Sequence, residues 1–349
     1  MKHPFEIFKN DDFPLLKKLL FLSLIKPHSK FIDDEFFSLL NYKENLNLFI
    51  QMVENNKLES VIVDAFRKNH KETILPTSWL DQQNHDTTKT KLIFEQLDHL
   101  SNIVEMNHTQ WIILENAAIA RTYFFEFPFL YNFGDLDLLI NPNDLHIINK
   151  LLQIEGFLLE SSGEIRVVFQ KKLGKGINLR INLQTHLVAR KWFQNSYGFD
   201  YEELLMNSRV LPSSKVRILN PEYFLAQLCI HSASHTYVRK PGIRLHMDVD
   251  WFLRKQAIDW DFFLKIITAH KIQTIAYWSL YIPFKLFGSP IPIGIFSQLK
   301  QCSLKEKIIL RKIIPQGNYP LSGELSSFEV LFLNLLLNDN LQQIFEMIL

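Results

Sequence analysis

Asp135 and Asp137 stand one residue apart in Gly134-Asp-Leu-Asp-Leu-Leu-Ile140. Side chains alternate along an extended strand, so both carboxylates fall on one face. Side by side they repel. The pair is stable when a hard cation such as Mg²⁺ lies between them, with oxygen ligands and phosphate completing its shell. Leu138, Leu139 and Ile140 would anchor the strand while its acidic end meets a cleft rim. The plain alternative is a solvated strand end, and the motif by itself leaves both open.

A second set of chemical groups lies further on. His231 and His235 are four residues apart, one face of a helix and a spacing suited to a metal or to interhelical hydrogen bonds. His246 and Asp248 could join them in a His/Asp metal site. Arg239, Lys240 and Arg244 form a basic stretch beside the histidines, and Lys171, Lys172 and Lys175 another; each reads equally as a phosphate contact or a solvated face. No phosphate-loop, dinucleotide-binding glycine, zinc-protease or Cys-x-x-Cys motif occurs.

The elements that must hold these residues follow from hydrophobic spacing. Trp111–Leu114 and Asp135–Ile140 have strand length, with a helix from Ala117 to Phe124 between them. Asn141-Pro-Asn-Asp144 is a turn with an N-cap, opening a helix over Leu145–Gln153 that Gly156 closes. Two strands, Ile165–Lys171 and Ile177–Leu183, join through Leu173-Gly-Lys-Gly176. This order predicts a small α/β sheet. Upstream, a helix is predicted over Leu46–Lys68 and another over Lys91–Met106, where Ile93, Leu97, Leu100 and Val104 share a face. Thr73–Thr90, with Pro76 and polar clusters, reads as a loop. Glu222–Tyr237, Leu245–Lys255 and Trp260–His270 read as helices, and the helical region is expected to continue to Leu349.

Composition bounds the function. The 349 residues carry 38 Lys+Arg against 37 Asp+Glu, a net charge of +1, which gives no general argument for nucleic acid or an anionic membrane. With 47% apolar residues the chain can bury a sizeable core, and its 29 Phe suit thick helix packing. Two cysteines, Cys229 and Cys302, exclude a disulfide scaffold and fit a reducing, cytoplasmic setting. The opening MKHPFEIFKNDDF lacks a signal-peptide pattern, and Phe13–Ile25 and Val330–Leu337 are too short or too charged to span a membrane.

Residues 111–158 resemble the uncharacterised bacterial nucleotidyltransferase family, a branch of the polymerase-β-like superfamily. Trp111-Ile-Ile-Leu, Ala117-Ala-Ile-Ala, Gly134-Asp-Leu-Asp-Leu-Leu-Ile and Gly156-Phe157 stand in the family's order. A second block, His231-x-x-x-His235, Arg244-Leu245, Asp248-Val249, Ile258-Asp-Trp260 and Leu286–Pro292, is similar to the family's helical part. The resemblance implies Mg²⁺-dependent transfer of a nucleotidyl group from an NTP, most expectedly ATP, to a hydroxyl-type acceptor such as a peptide or sugar. It implies Asp135, Asp137 and Asn182 as catalytic positions, with the two aspartates as metal ligands, Gly134 as the point where phosphates approach, and nucleotide-binding positions at Gly134, Glu115, Asn116, Tyr131, His231, His235, Arg244 and Asp248. The chain departs from the family at three places. Glu115-Asn116 stands for the usual Lys-Gly, Tyr131 for the usual Arg, and Asn182 for the third acid.

The expected fold is α+β: a small mixed sheet (108–215) between an N-terminal helical region (1–107) and a C-terminal helical domain (216–349). Asp135, Asp137 and Asn182 are expected to converge. Two other readings stand beside the transferase. One is a non-catalytic nucleotide-binding or interaction protein of the same fold, and the other a metal-dependent hydrolase built on His231, His235 and Asp248.

Overall fold

The computed structural model describes residues 20, 23–24, 34–123, 133–163, 166–174, 176–187, 198–212, 214–235 and 242–299. Tyr131, Lys175, Arg239, Lys240, Cys302, most of Phe13–Ile25 and all of Val330–Leu337 lie outside the described residues. The fold is mixed α+β, and the chain divides into two compact units. One comprises Met1–Gln83, Leu228–Ala257 and Ile272–Ile348; the other comprises Asn84–Gln227, Ile258–Lys271 and Leu349.

The second unit contains a mixed sheet. Its strands are β1 (Trp111–Ile113), β2 (Asp135–Ile140), β3 (Leu158–Ser162), β4 (Arg166–Gly174), β5 (Ile177–Gln184), β6 (Ser208–Val210) and β7 (Arg217–Leu219). They lie in the order β3-β4-β5-β2-β1-β7-β6. β2 runs parallel to β5 and antiparallel to β1, which places the acidic strand inside the sheet. Its alternation is strict at the start: Leu136, Leu138 and Ile140 are fully buried, each worth about 1.5–3 kcal/mol of apolar burial. Asp135 and Asp137 take the opposite face. Leu139 shares that face and is buried too, so the carboxylates occupy the strand's open end. Along β5, Ile177, Leu179, Ile181 and Leu183 face the core, while Arg180, Asn182 and Gln184 share the aspartates' face.

The strands around the Asp pair and the helices Glu115–Tyr123 and Leu145–Ile154 match the hydrophobic spacing closely. Asn141 caps the turn after β2 by accepting from the Asn143 N–H at 2.9 Å, and Gly156 takes φ 81 beyond the helix end. The sheet is larger than expected. β3 carries no alternation because all five of its residues are exposed, and β6 and β7 have only three residues each.

Two expectations about helices are corrected. Residues 77–90 are not a loop: Thr77–Met106 is one helix of 30 residues, opened by the Trp79 N–H bonding Pro76 O at 3.0 Å. Its buried stripe runs Trp79, Gln83, Asp86, Thr90, Ile93, Leu97, Leu100 and Val104, in alternating steps of four and three. The first half was illegible because its buried positions are polar; Gln83, for instance, donates to Ser60 O at 3.2 Å. Residues 46–68 likewise form two helices, Lys43–Asn55 and Glu59–Lys68. Lys57 breaks them in a left-handed conformation, φ 54.

In the first unit, Phe66 packs against Phe37 and Phe49, with ring centroids 5.0 and 5.8 Å away. Asn56, at the helix break, uses both ends of its buried amide. Nδ2 donates to Met52 O at 2.8 Å, and Oδ1 accepts the Ile243 N–H at 3.1 Å, satisfying the start of helix Ile243–Lys255. Among the described residues no helix is long and apolar enough to cross a membrane.

Candidate functional site

The site is built on three neighbouring strands. In the parallel pair β2–β5, Asp135 is opposite Arg180 and Asp137 opposite Asn182. The Asn182 side chain is fully buried, and its Nδ2 donates to Asp135 Oδ2 at 3.1 Å and to Asp137 Oδ1 at 3.0 Å. The three expected residues therefore converge. Asp137 Oδ1 also accepts from Gln184 Nε2 at 2.8 Å, and Arg166 Nη2 approaches it to 3.7 Å.

Gln184 and Arg166 were not anticipated. Gln184 follows Asn182 by two residues and so shares its face, a signal present in the sequence. Arg166 reaches the site only through the antiparallel register of β4, where it pairs with Gln184.

Glu115 enters from β1. The Leu114 N–H still bonds Asp137 O at 2.9 Å, so the chain remains against β2 as it turns into the helix Glu115–Tyr123. Glu115 itself sits at φ 53, a region uncommon for non-glycine residues and one that costs about 1–3 kcal/mol. Its charge, added to that of Asp135 and to burial, pushes the Asp137 carboxyl up from 3.8 to about 7, with burial the largest cause. Arg166 and the Asn182 hydrogen bond pull the other way. Gly134 is exposed, and a Cβ built there would meet nothing within 4 Å, so neither backbone conformation nor packing in the fold demands glycine.

The donor set suits one hard cation. Two carboxylates supply oxygen, and Asn182 Oδ1 is buried without a hydrogen-bond partner. A half-turn of that amide would exchange its donor for an acceptor on the carboxylate side. Among the described residues no three His, Cys, Asp or Glu side chains gather into a metal-holding group. Asp135 and Asp137 are the paired carboxylates of this face that share the Asn182 amide.

The candidates on the helices after residue 228 belong to the other unit. His231 and His235 lie with ring centroids 5.0 Å apart in an edge-to-face arrangement. Arg244 and Asp248 are both buried; Arg244 Nε donates to Asp248 Oδ1 at 3.3 Å and its Nη1 to Lys57 O at 3.1 Å. A buried ion pair that also holds a backbone carbonyl is a structural clamp in this unit. Asn116, half-buried, follows Glu115 in the second unit.

Among curated proteins, none matches the chain. The family model described as an uncharacterised nucleotidyltransferase matches residues 42–288, well over half of the chain. The chain belongs to that family, which supports a general nucleotidyltransfer role.

Proposed function

We propose that this member of the uncharacterised nucleotidyltransferase family transfers a nucleotidyl group from an NTP to a hydroxyl-type acceptor, with Mg²⁺ as its cofactor. The observation that carries the reading is the convergence of Asp135, Asp137 and Asn182 on one sheet face, within the stretch 42–288 that the family model matches. Asp135 and Asp137 hold the cation, and Asn182 occupies the third position. The cation would neutralise charge on the triphosphate as the acceptor oxygen bonds to the α-phosphorus, the α–β phosphoanhydride bond breaks in line to release pyrophosphate, and the acceptor's proton passes to solvent. Gly134 leaves the strand entrance open to phosphate. Asn182 brings no negative charge and cannot accept a proton as a base, so turnover is slow. ATP is the expected nucleotide, and a peptide or sugar the expected acceptor.

One observation favours the non-catalytic alternative. The Asn182 amide and Gln184 already satisfy Asp137 Oδ1, while Glu115 adds a negative charge beside it. A protein that binds nucleotide without turnover would keep this arrangement. The hydrolase reading gains no support, because Asp248 is engaged by Arg244.

A transfer assay with labelled NTPs tests the proposal. Label should pass to an acceptor with wild-type protein and not with Asp135→Asn. Absence of transfer in the presence of NTP binding would favour the non-catalytic alternative.

A further inference from the structure

We propose that Arg166 contacts the phosphates of the bound nucleotide, an inference that rests on the function proposed above. Among the described residues Arg166 is the one cation within 4 Å of either aspartate. Its register opposite Gln184 puts it on the face that carries Asp137, Asn182 and Gln184.

Arg166 is not required there as a hydrogen-bond partner. Asp137 Oδ1 already accepts two amide donors at 2.8 and 3.0 Å, and the Arg166 nitrogen stands off at 3.7 Å. Its side chain is 49% exposed, against 14% for Asp137. A guanidinium carries five N–H donors in a planar fork that fits phosphate oxygens in pairs. Most of those donors are uncommitted. Arg180, on the same face, differs in this respect: its Nη2 donates to Glu160 Oε1 at 3.0 Å.

The charge balance points the same way. Asp135, Asp137 and Glu115 together repel a polyphosphate, and Asn182 and Gln184 contribute no formal charge. A nucleotide held beside Asp137 through a cation therefore meets, among the described residues of this face, Arg166 as the nearby protein cation not already donating to a carboxylate, Arg180 being bonded to Glu160. This makes it a binding residue for the part of the ligand that carries the charge, with the nucleoside contacted elsewhere.

The test measures binding of ATP, AMP and inorganic triphosphate, each with Mg²⁺, by calorimetry on the wild-type, Arg166→Ala and Arg166→Lys proteins, with thermal melts to check folding. The expected result is a loss of about tenfold or more for ATP and triphosphate in Arg166→Ala, a smaller loss in Arg166→Lys, and little change for AMP. If Arg166→Ala binds ATP and triphosphate as the wild type does, this inference is overturned and the transferase reading stands. If the wild type binds triphosphate through Arg166 but no NTP at millimolar concentration, the phosphate contact stands and the nucleotide reading fails. If it binds neither, both fall.

Discussion

Asn182 lies directly across the parallel β2–β5 pair from Asp137 and donates to it at 3.0 Å, so a neutral amide donor reaches into the carboxylate pair. The same Nδ2 also reaches Asp135 at 3.1 Å. Each carboxylate gains a donor from a neutral group, which eases their repulsion without neutralising it.

Replacing that amide by a third acid changes the balance. In Asn182→Asp the two hydrogen bonds are lost and a buried negative charge is added. Metal-free protein is expected to lose about 1–3 kcal/mol. Added Mg²⁺ should restore much of it and bind more tightly than to the wild type. Thermal melts with and without Mg²⁺ read this directly. A variant as stable as the wild type without metal would show that Asn182 does not hold the pair.

Asp137 makes stability depend on pH. Its carboxyl is raised from 3.8 to about 7, so the folded state holds a proton that the unfolded chain releases. The associated stability is complete below about 3.8 and is lost as pH rises to about 7. Asp137→Asn removes the ionisation. Its advantage over the wild type should be small near pH 4, grow to about 2–4 kcal/mol, and stay flat above pH 7. Urea midpoints across this range measure it. An advantage independent of pH would mean that Asp137 titrates normally.

The acidic strand was legible because the strict alternation over residues 135–138 also encodes the burial of Leu136 and Leu138. Asn182 was legible only through the family resemblance, which puts the third acid at its position on the strand Ile177–Leu183. Arg166 was not, since its place depends on the pairing of β4 with β5, a long-range choice that no local pattern records. The helix Thr77–Met106 was missed at its start because Gln83, Asp86 and Thr90 fill buried positions with polar groups. Side chains that satisfy each other inside a fold look like a loop in the sequence.

That helix gives its own test. His85 is exposed, so His85→Pro changes little besides the backbone. In a continuous helix the substitution should cost about 3 kcal/mol. A midpoint in urea close to the wild-type value would restore the loop.

Cys229 is expected to be inert. It is fully buried, and burial pushes its thiol up to about 12. In a Cys302→Ser protein, native samples should leave a thiol reagent unreacted at pH 8, while denatured samples titrate one thiol. Rapid native labelling would contradict the packing of helix Pro221–Ser234.

In the proposed site Asp135 and Asp137 hold a cation that carries an NTP. Calorimetric titration of Mg²⁺–ATP into wild-type and Asp137→Ala protein tests it most directly. Binding should require Mg²⁺, vanish when the metal is chelated, and be lost in Asp137→Ala while the variant still melts cooperatively. No binding of any NTP to the wild type at millimolar ligand, or binding that survives Asp137→Ala unchanged, would contradict the account.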